Sequence, residues 1–202
     1  INKVECLENP VNIPNVNNVS KEDIFTISFA GRLEHVKNPL GLLKAFKQLN
    51  NKNQAIRLWV IGDGSQKKLL EKFVVDNFLE DKVKFFGYIS EPFELLAQSD
   101  VFVQSSFSEG FSLGLIEAMG CKLPVVSTPV GASSEILLNS KTGFLTKSSH
   151  HDDIYSKLVE AINTPKEDLL YMGEVGRDYV INKYSQLEYL QKLETLYRES
   201  HN

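Results

Sequence analysis

Two cations and two carboxylates stand out in this 202-residue chain as residues whose types and spacing could do chemistry: Arg32 and Lys37, and Glu109 and Glu117. Arg32 and Lys37 share the turn Gly31-Arg32-Leu33-Glu34-His35-Val36-Lys37-Asn38-Pro39. Asn38 is the expected N-cap and Pro39 the expected first residue of a helix. A helix N-terminus already carries partial positive charge, so each nearby cation costs about 0.3–1 kcal/mol. A bound anion such as a diphosphate reverses that sign, because amides, Arg32 and Lys37 would all point at it. The plainer reading makes both cations solvated loop residues.

The carboxylates lie in Ser105-Ser106-Phe107-Ser108-Glu109-Gly110-Phe111-Ser112-Leu113-Gly114-Leu115-Ile116-Glu117, with seven residues between them. Gly110 permits close backbone approach or a positive φ. The amides of Phe111, Ser112 and Leu113 would open a helix toward a ligand. Leu113, Leu115, Ile116, Ala118 and Met119 run nearly all round that helix, which predicts its burial. Glu117 then needs a partner in apolar surroundings, and two vicinal hydroxyls of a ribose would supply one. The structural alternatives are an ion pair for Glu117 and a favourable helix-N-terminal charge for Glu109.

The elements that must position these residues follow from alternating apolar runs. Phe25–Ala30, Ile56–Ile61, Val83–Phe86, Val101–Gln104, Pro124–Ser127 and Gly143–Thr146 read as strands. Helices read at Pro39–Leu49, Gln66–Phe78, Pro92–Gln98, Leu113–Gly120 and Ser133–Leu138, and three more at Asp152–Ile162, Lys166–Asn182 and Gln186–Glu199. Short apolar strands alternating with helices predict a parallel sheet of α/β class. The expected architecture is doubly wound and Rossmann-type, about six strands in order 3-2-1-4-5-6, with ligands at the switch between strands 1 and 4. Both chemical turns fall at that switch.

Composition is that of an ordinary globular protein, 42% hydrophobic and 24% charged. No run reaches the roughly 18 apolar residues of a membrane span. A formal charge of −4 argues against a nucleic-acid partner, and all of it lies in residues 152–202. Residues 1–202 are expected to form one domain. Cys6 and Cys121 fit neither a disulfide framework nor a metal spacing, which suits a reducing cytoplasm. No metal site is expected: His150 and His151 read as solvated loop residues. Gly62-Asp63-Gly64 lacks the third glycine of a dinucleotide fingerprint and reads as a tight turn. Tyr88 and Ile89, after strand 3, are candidates for contact with a nucleobase. Gly131 and Glu135 are weaker candidates for sugar contact. Tyr171, Tyr179, Tyr184, Tyr189 and Tyr197 are expected in the core or at a domain contact.

These motifs resemble the C-terminal, donor-binding domain of the retaining GT-B glycosyltransferases known as group 1 or family 4. Arg32 and Lys37 match the family's Gly-Arg-Leu…Lys motif, and Glu109 and Glu117 its E-x7-E motif within EGFSLGLIEAMGCKLPVV. Asn9-Pro10-Val11-Asn12 is similar to an Asn-Gly-hydrophobic-Asp turn, with Pro10 in place of glycine. Thr142-Gly143-Phe144-Leu145 and Tyr184-Ser185 match two further family turns, whereas Gly131-Ala132 departs from a common Gly-Gly pair.

The resemblance implies a nucleotide-diphosphate sugar donor, a UDP-sugar first among them, and no metal or other cofactor. It implies that Glu109 is the catalytic carboxylate near the donor sugar and that Glu117 binds the ribose. Arg32 and Lys37 would neutralise the diphosphate, and Tyr88 and Ile89 would line the base pocket. Gly110, Phe111, Ser112 and Leu113 would approach sugar and phosphate. It further implies an N-terminal acceptor domain that this sequence does not include, with peripheral contact at the inner membrane face. On that basis the isolated domain is expected to be weak or inactive in transfer to a saccharide or lipid-linked acceptor. Two alternatives stay open: a nucleotide-sugar epimerase-like domain of the same architecture, and a non-catalytic nucleotide-binding module.

Overall fold

The computed structural model describes residues 10–13, 23–52, 55–137 and 141–200. Six parallel strands form one sheet in the order β3-β2-β1-β4-β5-β6. They are β1 Phe25–Ala30, β2 Ile56–Ile61, β3 Val83–Gly87, β4 Val101–Gln104, β5 Val125–Ser127 and β6 Gly143–Leu145. Between and after them run α1 Pro39–Asn50, α2 Lys67–Asp76, α3 Phe93–Gln98, α4 Leu113–Gly120, α5 Ser133–Leu137, α6 His151–Asn163, α7 Lys166–Tyr184 and α8 Gln186–Ser200. The doubly wound order expected from the sequence is the one observed. Element ends differ from expectation by a residue or two, as frayed termini do. Asn9 of the N-terminal turn, the Asn-rich stretch at Asn15, Asn17 and Asn18, Cys6, and Leu138 of the expected fifth helix lie outside the described residues.

Alternation along each strand splits the core in two. Ile27, Phe29, Val101, Val103 and Val126 face one side and pack with α1 and α6. Phe102 and Val125 face the other and pack with α4 and α7. Helices therefore cover both faces, and the loops at the carboxyl ends of β1 and β4 are left to face a ligand.

The tyrosine expectation holds only in part. Tyr184 is buried in the second core, whereas Tyr171 and Tyr197 are exposed. In an α7 whose apolar residues are scattered around the helix, Tyr171 falls on the solvent side. Helix α4 is buried as expected except at Leu113, which is 51% exposed because it opens the first turn at the ligand edge.

Candidate active site

The β1–α1 loop is shaped by its polar cap. Asn38 adopts the left-handed conformation, its Oδ1 accepts from the Gly41 amide at 3.1 Å, and its Nδ2 donates to the Ser149 carbonyl at 2.9 Å. A short 3-10 turn, His35–Lys37, precedes it and was not read from the sequence. The Leu33 amide donates to the Asp63 carbonyl, and the Gln66 amide donates to the Leu33 carbonyl, each at 2.9 Å. Gly62, at φ 143°, sits so close that a Cβ there would lie 1.9 Å from the Gly31 carbonyl oxygen. Only glycine lets these two turns share one floor. The Gly62-Asp63-Gly64 segment is thus the tight turn expected.

The β4–α4 loop is held from three sides. Ser105 Oγ donates to the Lys37 carbonyl at 2.9 Å, and the Phe107 amide to the Val36 carbonyl at 2.8 Å. Thr128 Oγ1 and Ser149 Oγ donate to the Ser106 carbonyl at 2.7 and 3.0 Å. Gly131, at φ 54°, approaches from the third side, where a Cβ would fall 2.6 Å from the Gly110 carbonyl and 2.7 Å from that of Glu109.

Between these loops lies a cavity of about 350 Å³, lined by Arg32, Lys37, Tyr88, Ile89, Glu109 and Glu117. Phe111, Ser112 and Leu113 complete the set of expected residues on its wall. Its size is within the range of small-molecule sites. Gly110 does not line it: its φ is not positive, and it serves instead as the contact for the Gly131 turn. Gly131 and Glu135 also lie off the wall, and Glu135 pairs with Lys183 at 3.1 Å. Gln104, Ser106 and Asp63 line the cavity and were missed. The signal for Gln104 was a polar residue ending an otherwise apolar strand, and for Ser106 a hydroxyl three residues before Glu109.

The charges are arranged unequally. Lys37 Nζ lies 2.6 and 2.8 Å from the two Glu109 carboxylate oxygens, and Ser106 Oγ donates to Glu109 Oε1 at 2.6 Å. The Glu109 side chain is only 8% exposed. Arg32 is exposed and makes no hydrogen bond or ion pair with a described residue. Glu117 is half-buried, and burial pushes its carboxyl above the usual range. Among the described residues it has no ion pair or hydrogen bond, so the structural-pair alternative lacks a partner. Asp63 on the rim is held low by the hydrogen bond from Lys67 and the Gly64 amide.

Helix α4 begins without a side-chain cap. The hydroxyl of its N-cap, Ser112, bonds Gln104 Oε1 instead, and Gln104 in turn donates to Ser127 at 3.0 Å. The first-turn amides of α4 are therefore left for a ligand at the cavity edge.

The model of the glycosyl transferases group 1 matches residues 13–179. The chain belongs to this family. It is 37% identical over 159 residues to a D-inositol 3-phosphate glycosyltransferase from Pseudarthrobacter chlorophenolicus, covering 75% of this chain and 37% of that protein. Its backbone matches a crystal structure of a mutant of Staphylococcus aureus TarM in complex with fondaparinux, alpha-GlcNAc-glycerol and UDP. That match has a TM-score of 0.84 at 27% identity and covers 94% of this chain and 38% of that one. A crystal structure of the C-terminal domain of a group 1 glycosyl transferase, LpcC from Francisella tularensis, matches with a TM-score of 0.72 at 28% identity over 80% of this chain and 87% of that one. The chain spans less than half the length of the curated relatives it matches, and its fold fits the C-terminal domain of a GT-B glycosyltransferase. No helix among the described residues is long and apolar enough to cross a membrane.

Proposed function

We propose that the chain is the donor half of the whole protein, binding a nucleotide-diphosphate sugar, a UDP-sugar first among donors. The whole protein then transfers the sugar with retention to a saccharide or lipid-linked acceptor in bacterial polysaccharide or glycolipid synthesis. The observation that carries this is the meeting of Arg32, Lys37, Glu109 and Glu117 in one cavity between the ends of β1 and β4. The UDP in the TarM crystal supports uridine as the base.

Each residue has a role its chemistry suits. Glu117, half-buried and without a hydrogen bond or ion pair among the described residues, accepts from the two ribose hydroxyls, which lowers the cost of keeping its charge. Tyr88, 78% exposed on the wall, and Ile89 cover the base. Lys37 has three ammonium donors and Glu109 takes two of them, leaving one for a phosphate oxygen. Arg32 supplies a planar second contact to the diphosphate. Glu109, held by Lys37 and Ser106, is the carboxylate this reading assigns to the donor sugar, where it stabilises positive charge as the glycosidic bond to the diphosphate breaks. The open amides of α4 add positive field for the leaving group. Together these supply the charge stabilisation that a divalent ion gives in other transferases.

Titrating UDP, GDP and ADP into the chain and following heat and melting temperature tests the reading. Saturable binding of one of them, UDP foremost, is expected. No binding of any at millimolar concentration overturns it.

A further inference from the structure

Ser112 stands where a helix cap belongs and does not cap. Its backbone has the extended conformation of an N-cap, φ −85° and ψ 91°, at the start of α4. A serine there ordinarily turns its oxygen onto an amide of the first turn. Here its hydroxyl donates to Gln104 Oε1, and the amides of Leu113, Gly114 and Leu115 donate to no described residue. Leu113 and Gly114 line the cavity between β1 and β4, as do Ser112 and Gln104.

The direction of the Gln104 amide is fixed by a relay. Ser127 Oγ gives its proton to the Thr128 carbonyl at 3.0 Å, which leaves that oxygen only as an acceptor. Gln104 therefore presents Nε2 to it, at 3.0 Å, and Oε1 is turned toward Ser112. The relay is anchored away from the helix start. The Thr128 carbonyl also accepts from Ser133 Oγ of α5 at 2.7 Å, and the Thr128 amide donates to the Gln104 carbonyl at 3.0 Å. Gln104, Ser112 and Ser127 are all buried, where an unmade hydrogen bond is costly, so the relay holds one arrangement.

The sheet has no need of this glutamine. Val101, Phe102 and Val103 precede it as a buried apolar run, the ordinary pattern of a central parallel strand. An apolar residue at 104 would continue that run and leave the Ser112 hydroxyl free to cap α4. A serine oxygen turned onto the first turn would occupy an amide that a phosphate oxygen could otherwise take.

We propose that Gln104 is a positioning residue for the diphosphate: by holding the Ser112 hydroxyl away from the first turn of α4, it keeps those amides open to phosphate oxygens. It acts through Ser112 and not by touching the ligand. The inference rests on the donor reading above, which puts a diphosphate at this helix end.

Gln104→Met, which keeps length and burial and removes both ends of the amide, tests this alone and combined with Ser112→Ala. Calorimetry gives UDP affinity, competition against UDP gives uridine affinity, and hydrogen exchange without nucleotide reports the first-turn amides of α4. Gln104→Met should bind UDP about fivefold more weakly, the factor by which a serine cap competes for an amide, with uridine affinity little changed. Exchange at Gly114 or Leu115 should slow, because the freed hydroxyl covers one of them. Adding Ser112→Ala should restore fast exchange and recover most of the lost UDP affinity, which neither a direct contact from Gln104 to the ligand nor a general loosening of the loop would do. The proposal is overturned if Gln104→Met binds UDP as the parent does, if it loses uridine and UDP affinity alike, if exchange does not slow, or if the double variant recovers nothing. A parent that binds no UDP sinks the donor reading, and the exchange measurement still decides by itself whether Gln104 holds Ser112 off the helix.

Discussion

Lys37 and Glu109 meet end to end across the mouth of the sheet, one from the loop after β1 and one from the loop after β4, with nitrogen-to-oxygen distances of 2.6 and 2.8 Å. The pair joins the two loops at the point where strand order reverses. It makes Lys37 both a bridge in the fold and a cation in the site.

Removing Lys37 therefore has two effects. Lys37→Ala leaves Glu109, only 8% exposed, without its counter-charge, and should lower stability by about 1–3 kcal/mol. Lys37→Ala combined with Glu109→Ala should recover part of that loss, since the stranded charge is gone. Denaturant melts of the parent, the single variants and the double variant check this.

Arg32 separates binding from folding. It is exposed and makes no hydrogen bond with a described residue, so Arg32→Ala should change stability by no more than about 0.5 kcal/mol. Affinity for a nucleoside diphosphate should fall by about 1–3 kcal/mol, the scale of a charge-assisted hydrogen bond. A thermal melt and a UDP titration on the same sample measure both.

Glu117 gives a pH dependence of definite sign. Burial raises its carboxyl, so the folded state holds a proton more tightly than the unfolded state, whose glutamate titrates near about 4.3. Its contribution to stability is undiminished below that ordinary value and falls as pH rises through the raised one. Glu117→Gln should remove this slope and melt no lower than the parent at neutral pH. Nucleotide affinity of the parent should weaken on acidification, as the carboxylate loses an acceptor. Melting temperature and UDP affinity followed across the acidic range check both arms.

Gly131 fixes the back of the Glu109 loop. A Cβ there would clash with the carbonyls of Gly110 and Glu109 and would sit at φ 54°, so Gly131→Ala should cost about 1–3 kcal/mol. Because the clash falls on the Glu109 backbone, discrimination between UDP and a UDP-sugar should fall with it. Parallel titrations of the two ligands measure that ratio.

The sheet was legible because short apolar strands alternate with helices, and the parallel topology follows from that rhythm. The lining of the candidate cavity was legible where a charge breaks an apolar pattern, as at Glu117, or where two cations crowd a helix start. Gly110 misled because a glycine beside a motif carries no sign of which neighbour needs it: the close approach belongs to Gly131, from the loop after β5. That the two cations face the two carboxylates follows from both turns falling at the switch, but which of them pair could not be read, because spacing along the chain does not say that Lys37 rather than Arg32 meets Glu109. The serine and threonine hydroxyls that hold the Ser106 carbonyl were invisible for the same reason, since Thr128 and Ser149 come from other strands' ends.

The central claim is that the cavity between β1 and β4 binds a nucleoside diphosphate through Arg32 and Glu117. The most direct measurement is the UDP affinity of the parent against Arg32→Ala combined with Glu117→Gln, with the melt of each recorded. The account predicts saturable UDP binding to the parent, and a variant that melts cooperatively but binds at least about tenfold more weakly. Equal UDP affinity in the two proteins would contradict it.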